Sequence, residues 1–258
     1  MLKGLSGRTA VVTGAAGAIG QAMCARLAEE GANVVAADVA EEPLRAVVST
    51  LPSKALAVRA DITSDTDVTT LISAAVDEFG TVDLVVANAG VECEVHPVAE
   101  FSPADFDKVF AVNVKGAFLT AAAAVRRMLH QDSRGKILFT ASLAAVMGSP
   151  GTSVYNASKH AVLGLARCLA LEVGGTGIRV NTLCPGVVDS RMMRSLEDGM
   201  GAMGGADGPT IKQAFEAQIP LGRYASPAEV AATAAWILSD EVDYLHGETF
   251  TVSGGLRP

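Results

Sequence analysis

Thr9-Ala10-Val11-Val12-Thr13-Gly14-Ala15-Ala16-Gly17-Ala18-Ile19-Gly20 decides the fold. A short apolar run, Thr9 to Thr13, passes into a glycine-rich turn, and a helical stretch from Ala18 to Glu30 follows. Val and Ala with no polar alternation are expected of a strand covered on both faces. Small residues at Gly14, Gly17, Ala18 and Gly20, with Ile19 between them, let backbone approach a ligand closely. The helix start that follows offers unpaired N–H groups and positive dipole charge, the features that hold a pyrophosphate. The same turn also reads as a tight, close-packed strand–helix corner.

The alternation repeats along the chain. Strand-like runs cover Asn33 to Ala37, Ala55 to Ala60, Leu84 to Ala87, Lys136 to Ala141, Arg179 to Cys184 and Glu248 to Val252. Helical stretches lie between them at Glu41 to Leu51, Asp65 to Phe79, Pro103 to Leu129, Ser153 to Val173 and Pro227 to Leu238. Ser102-Pro103 and Ser226-Pro227 each put a cap before a proline at the first helical position. This rhythm predicts an α/β fold with a doubly wound parallel sheet. No linker or composition shift divides the 258 residues, so residues 1–258 are expected to form a single domain.

Composition removes several classes. Net charge is −8, which disfavours nucleic acid as a partner. No apolar run reaches the length of a membrane span, and the first residues lack the apolar core of a signal peptide. The four cysteines, Cys24, Cys93, Cys168 and Cys184, are widely spaced and read as buried reduced thiols, with no metal site and a cytoplasmic setting. Aromatics make up 5% of the chain, with three Tyr, and there are four His, so few groups can carry protons.

Asp38 ends the second run. A carboxylate there accepts hydrogen bonds from a ribose and repels a 2′-phosphate, and neither Gly17 nor Val39 offers a compensating cation. The cofactor expected is NAD rather than NADP. Asp38-Val39-Ala40-Glu41 also reads as a capping box. Asp61-Ile62 and Asn88-Ala89-Gly90 follow the third and fourth runs, where open α/β sheets bind ligands; each is also ordinary turn chemistry.

Tyr155 and Lys159 stand four apart, on one face of a helix. Ser142 ends the fifth run, either facing the same crevice or bonding its own backbone. Hydride transfer at a secondary alcohol needs such a set. A free phenol has a pKa of about 10. A neighbouring ammonium and a cationic nicotinamide are expected to lower it, with Ser142 holding the substrate oxygen.

These residues resemble the short-chain dehydrogenase/reductase family, in its single-domain branch, over nearly the whole chain. Thr13-Gly14-x-x-x-Ala18-x-Gly20 is similar to its nucleotide motif and Asn88-Ala89-Gly90 to its Asn-Ala-Gly motif. Ser142, Tyr155 and Lys159 match its catalytic positions, and Asn113 matches the fourth. Pro185-Gly186 matches the turn near the nicotinamide. Pro220-Leu221-Gly222-Arg223, with Pro227 to Ala231, resembles its late-helix signature. The resemblance implies strand order 3-2-1-4-5-6-7 and a homotetramer, with Ala121 to Ala124 suited to close helix packing. It implies that Lys159 bonds the nicotinamide ribose and that Asn113 holds a water linking Lys159 to solvent. Val188 and Ser190 would complete the nicotinamide pocket, Ser190 standing where Thr is common. Ala18 replaces a usual Gly, Ala87 an Asn, and Ser253-Gly254-Gly255 the usual Asp-Gly-Gly.

The substrate pocket is expected from Ser142, Ala144, Val146, Cys93, His96, Gly186, Val187, Met192 and Met193, a mostly apolar set. His96 reads as a loop residue rather than a catalytic group. The stretch from Gly90-Val91-Glu92 to Phe110 is similar to family members acting on cyclic ketones and diols. Residues 198–209 hold five glycines in twelve positions, which argues against a helix; they read as a surface loop or as part of a lid over 190–218. The expected activity is NAD-dependent transfer of hydride between a small-molecule secondary alcohol and its ketone. The competing readings are a 3-oxoacyl carrier protein reductase, disfavoured by Asp38 and the acidic charge, and a non-catalytic NAD-binding sensor, disfavoured by four intact catalytic positions.

Overall fold

Thr9–Thr13 forms β1, buried along its whole length between β2 (Asn33–Asp38) and β4 (Leu84–Ala87) in a computed structural model that describes residues 1–256. The other strands are β3 (Ala55–Arg59), β5 (Lys136–Thr140), β6 (Arg179–Pro185) and β7 (Thr249–Val252). All six neighbouring pairs are parallel, in the order 3-2-1-4-5-6-7. Side-chain alternation sends Val11, Val35, Val85 and Ile137 to one face and Ala10, Val12, Val34 and Val86 to the other. The first face is covered by α3 (Asp65–Phe79), α5 (Ala117–His130) and α6 (Ser153–Val173). The second is covered by α1 (Ala18–Glu29), α2 (Glu41–Ser49) and α9 (Pro227–Leu238). The chain leaves β1 in opposite directions toward β2 and β4, so a crevice opens at their carboxyl ends.

The proline-led helices start as expected. Ser102 and Ser226 each make a full capping box, with Asp105 and Glu229, at α4 (Pro103–Phe110) and α9. Asp38 makes none. Ala40 is the α2 cap, and the Asp38 carboxylate accepts from the Ala40 and Ala16 N–H groups, both at 3.0 Å.

Three expectations need correction. The glycine-rich stretch 198–209 is largely helical. α7 runs Arg191–Gly204, Gly205 ends it in the left-handed region, and α8 (Gly208–Gln218) starts from an Asp207 cap. Packing overrides propensity here: a Cβ on Gly199 would lie 2.7 Å from Val95, and one on Gly201 2.8 Å from the Ala206 carbonyl. Pro103–His130 is one helical run, long and apolar enough by length and composition to cross a membrane; half of its apolar window is buried inside the fold. Cys168 is exposed, whereas the other three cysteines are buried. The close helix packing expected at Ala121, Ala123 and Ala124 is found within this chain's own core, where α5 meets α3.

Candidate active site

Gly14 holds a φ of +66°, and a Cβ there would sit 2.7 Å from the Ala89 Cα. Only glycine combines that conformation with that approach. The contact is tied down by hydrogen bonds. Thr13 Oγ1 accepts from the Asn88 and Ala89 N–H groups at 3.1 and 3.2 Å, and Asn88 Nδ2 donates to the Thr13 carbonyl at 2.9 Å. The structure therefore brings together the first and fourth strand ends. Gly20 packs flush beneath them: a Cβ there would lie 2.1 Å from the Gly14 carbonyl oxygen. The N-cap of α1 is Gly17, which supplies no side-chain cap. The open helix end beside the half-buried Asp38 carboxylate fits a dinucleotide, with anion-binding N–H groups at one end and a ribose acceptor at the other.

The remaining expected cofactor residues divide. Asp61 Oδ1 accepts from the Thr63 N–H and hydroxyl at 2.9 and 2.8 Å, and Ile62 is buried beneath Gly116. Both hold a turn. Val39 is exposed beside Asp38. Pro185 ends β6, and Gly186 lies so close to Ser253 that a Cβ would approach its Cα at 2.9 Å. Val188 is buried against the α1–α9 side, so only its backbone is available to a ligand. Ser190 caps α7, accepting from the Met193 N–H at 3.1 Å, and its own proton remains free to be donated.

Tyr155 and Lys159 project from the same face of α6. Lys159 Nζ lies 5.6 Å from the Tyr155 ring centroid and donates to the Thr140 carbonyl at 3.1 Å. Ser142 follows β5 and lies near enough to the Tyr155 phenol to favour its ionisation. It also caps a short 3₁₀ turn, Leu143–Ala145, by accepting from the Ala144 N–H at 3.1 Å. The reading of this serine as bonding its own backbone is thus realised, with the phenol beside it.

The chain's own groups act on this pair chiefly through burial. Burial is the largest influence on both groups; it pushes the Tyr155 phenol up to about 12 and the Lys159 ammonium down to about 8. Ser142 pulls the phenol downward, while the charge of Glu92 opposes that pull. The chain alone thus does not prepare a phenolate. A cationic group placed beside the phenol would favour its ionised form.

Asn113 sits in a π-helical turn, Ala111–Gly116, between α4 and α5. Such turns cluster at functional sites. Its Oδ1 accepts from the Val91 N–H at 2.8 Å, and its Nδ2 donates to the Val91 carbonyl and to Ser158 Oγ, each at 3.0 Å. Both N–H donors of the amide are used, while its oxygen accepts one bond and keeps a second lone pair. Gly90 leaves room between Asn113 and Lys159: a Cβ there would lie 3.2 and 3.3 Å from their polar atoms.

Beyond Tyr155 a cleft of about 440 Å³ runs between the loop after β4 and α7. Cys93 and His96 line it, as expected. Met192 and Met193 do not; Ser195, Gly199 and Met203 form the helical wall, a stripe at helical spacing. Ala144 and Val146 are half-buried behind Ser142 and do not line this cleft. His96 pairs with Glu94 at 3.0 Å and packs edge-on to Phe101, so it belongs to the rim. Sequence reading missed Glu92 and Arg191, which form an ion pair at 3.2 Å between the loop after β4 and the first residue of α7.

Comparison with known proteins gives one consistent picture. Residues 14–257 match a family model described as enoyl-(acyl carrier protein) reductase. The chain is 36% identical over 252 residues, 97% of each chain, to a 2,5-dichloro-2,5-cyclohexadiene-1,4-diol dehydrogenase from Sphingobium indicum. It superposes on an NAD⁺-bound xylitol dehydrogenase with a TM-score of 0.94, at 32% identity, covering 98% of this chain and 100% of that one. It superposes on a short-chain type dehydrogenase/reductase from Mycobacterium marinum with a TM-score of 0.89, at 31% identity, covering 98% and 96%.

Proposed function

The chain belongs to the short-chain dehydrogenase/reductase family, and on that premise we propose that it is an NAD-dependent enzyme interconverting a secondary alcohol and its ketone. It is an oxidoreductase that works with a nicotinamide cofactor on a small molecule. The observation that carries the finer reading is the grouping of Ser142, Tyr155 and Lys159, with Ser142 following β5 at the same carboxyl edge of the sheet from which α1 starts.

When bound, the nicotinamide gives or accepts the hydride and, oxidised, adds a positive ring charge. Tyr155 moves the proton: its phenolate takes it from the alcohol oxygen, and its phenol returns it to the carbonyl oxygen. Ser142 donates a hydrogen bond to that same oxygen. Lys159 supports the phenolate electrostatically and, with its free N–H donors, reaches a ribose hydroxyl. Asn113 fixes the Val91 backbone and the helix turn beneath Lys159. Asp38, held by two backbone N–H groups, binds the adenosine ribose and repels a 2′-phosphate. Val39 offers an exposed apolar surface beside the adenosine, and the loop Gly186 to Ser190 holds the carboxamide.

The α7–α8 hairpin, within 190–218, acts as an ordered lid over the cleft. Exposed Phe118, Leu129, Leu171 and Trp236 on the outer helices support association into a homotetramer. A reductase of carrier-bound acyl groups would have to receive an acidic carrier beside Glu94 and Glu100, which both line the cleft. NADH absorbance, followed against a panel of cyclic, aromatic and linear secondary alcohols and their ketones, tests the reading. No turnover by a protein that binds NADH would support a sensor instead.

A further inference from the structure

The Glu92–Arg191 pair has no part in the proton path, yet it spans the two walls of the cleft. Glu92 follows Val91, whose N–H and carbonyl are both held by Asn113, so its backbone is fixed relative to Tyr155. Arg191 is the first residue of the lid helix, directly after Ser190. The Glu92 side chain is 17% exposed and that of Arg191 80%. The carboxylate lies close enough to the Tyr155 phenol to oppose its ionisation.

One oxygen of this carboxylate is engaged. Oε1 accepts from Arg191 Nη1 at 3.2 Å, and Oε2 makes no hydrogen bond among the described residues. That oxygen is open to solvent on a side chain otherwise mostly covered, so its lone pairs are available to a donor that enters from the cleft side. An ionised carboxylate only accepts, so a ligand there must donate. A hydroxyl qualifies, whereas a second carbonyl, a carboxylate or a phosphate is repelled. Glu94 and Glu100 add the same sign further out.

On the oxidoreductase reading above, we propose that Glu92 is a specificity-determining residue whose free oxygen accepts a hydrogen bond from a second hydroxyl of the substrate. The site then takes diols, polyols and hydroxyketones in preference to mono-alcohols and to anionic carbonyl compounds. Arg191 is a positioning residue that orients the carboxylate from the lid.

The test is kcat/KM for matched pairs, 2,3-butanediol against 2-butanol and cyclohexane-1,2-diol against cyclohexanol, in wild type, Glu92→Ala, Glu92→Gln and Arg191→Gln. NADH fluorescence checks the cofactor site of each variant. Wild type should prefer the diols at least tenfold. Glu92→Ala should cut that ratio at least tenfold, mainly through KM, and Glu92→Gln, which keeps an acceptor oxygen, should fall between. Arg191→Gln alters a mostly exposed side chain and should raise KM for the diols severalfold while kcat changes little. A ratio in Glu92→Ala within twofold of wild type overturns the proposal. If Glu92→Ala does not bind NADH, an unchanged diol KM in Arg191→Gln overturns it instead. If wild type binds NADH and turns over no alcohol or ketone, the oxidoreductase reading fails and this inference falls with it.

Discussion

Asn113 pairs with the backbone of Val91 at both ends of its amide, accepting from the N–H at 2.8 Å and donating to the carbonyl at 3.0 Å. A side chain on a helix thereby completes the hydrogen bonding of the loop after β4. Asn113→Ala should leave two Val91 groups and Ser158 without this partner in a buried setting. The expected cost is about 2–4 kcal/mol of stability, read by denaturant unfolding. Turnover should fall further than stability explains, because Glu92 and Lys159 lose their fixed neighbour.

Lys159 is held below its ordinary range, at about 8, by burial. The sign follows from linkage. The unfolded chain keeps its proton to higher pH than the folded one, so stability from this group rises between about 8 and the ordinary lysine value and is absent below about 8. Lys159→Met should therefore raise the melting temperature of the cofactor-free protein at neutral pH by about 3–6 °C, while turnover is lost. The gain should shrink above pH 9. A lower melting temperature at pH 7 would contradict this.

Asp38 accepts one backbone N–H on each carboxylate oxygen, which leaves lone pairs on both for a further donor. Asp38→Ala should weaken NADH binding roughly tenfold to a hundredfold, as expected for losing charge-assisted hydrogen bonds. Combining it with Val39→Arg should move the preference toward NADPH. Steady-state kinetics with both cofactors measures the switch, and wild type preferring NADPH would contradict the assignment.

Gly199 faces Val95 across the cleft, where an added Cβ would lie 2.7 Å from a Val95 methyl. Gly199→Ala should push Val95 into the opening and raise KM about three- to tenfold, with kcat within about threefold. A KM equal to wild type would show that α7 moves freely away from the loop.

The strand–turn–helix from Thr9 to Glu29 was legible because its signals are local: an apolar run, small residues where backbones touch, and a helix start. The same holds for Tyr155 and Lys159, whose relation is one turn of helix. The segment 198–209 was misread because glycine propensity speaks for isolated helices. Here Gly199 and Gly201 serve close packing, and Gly205 with Asp207 marks a real helix boundary. The upward push of burial on Tyr155 in the chain alone was not legible, because composition carries no measure of desolvation. Glu92 and Arg191 stand 99 residues apart, and nothing local in the sequence relates them.

The account rests on one phenol. Tyr155→Phe keeps the ring, its packing and the Lys159 contact and removes only the hydroxyl. With NADH absorbance followed on the best secondary alcohol or ketone, the account predicts a loss of turnover of at least about a thousandfold. NADH affinity should stay within about threefold. Turnover within tenfold of wild type, with cofactor binding intact, would contradict it and place the proton transfer elsewhere.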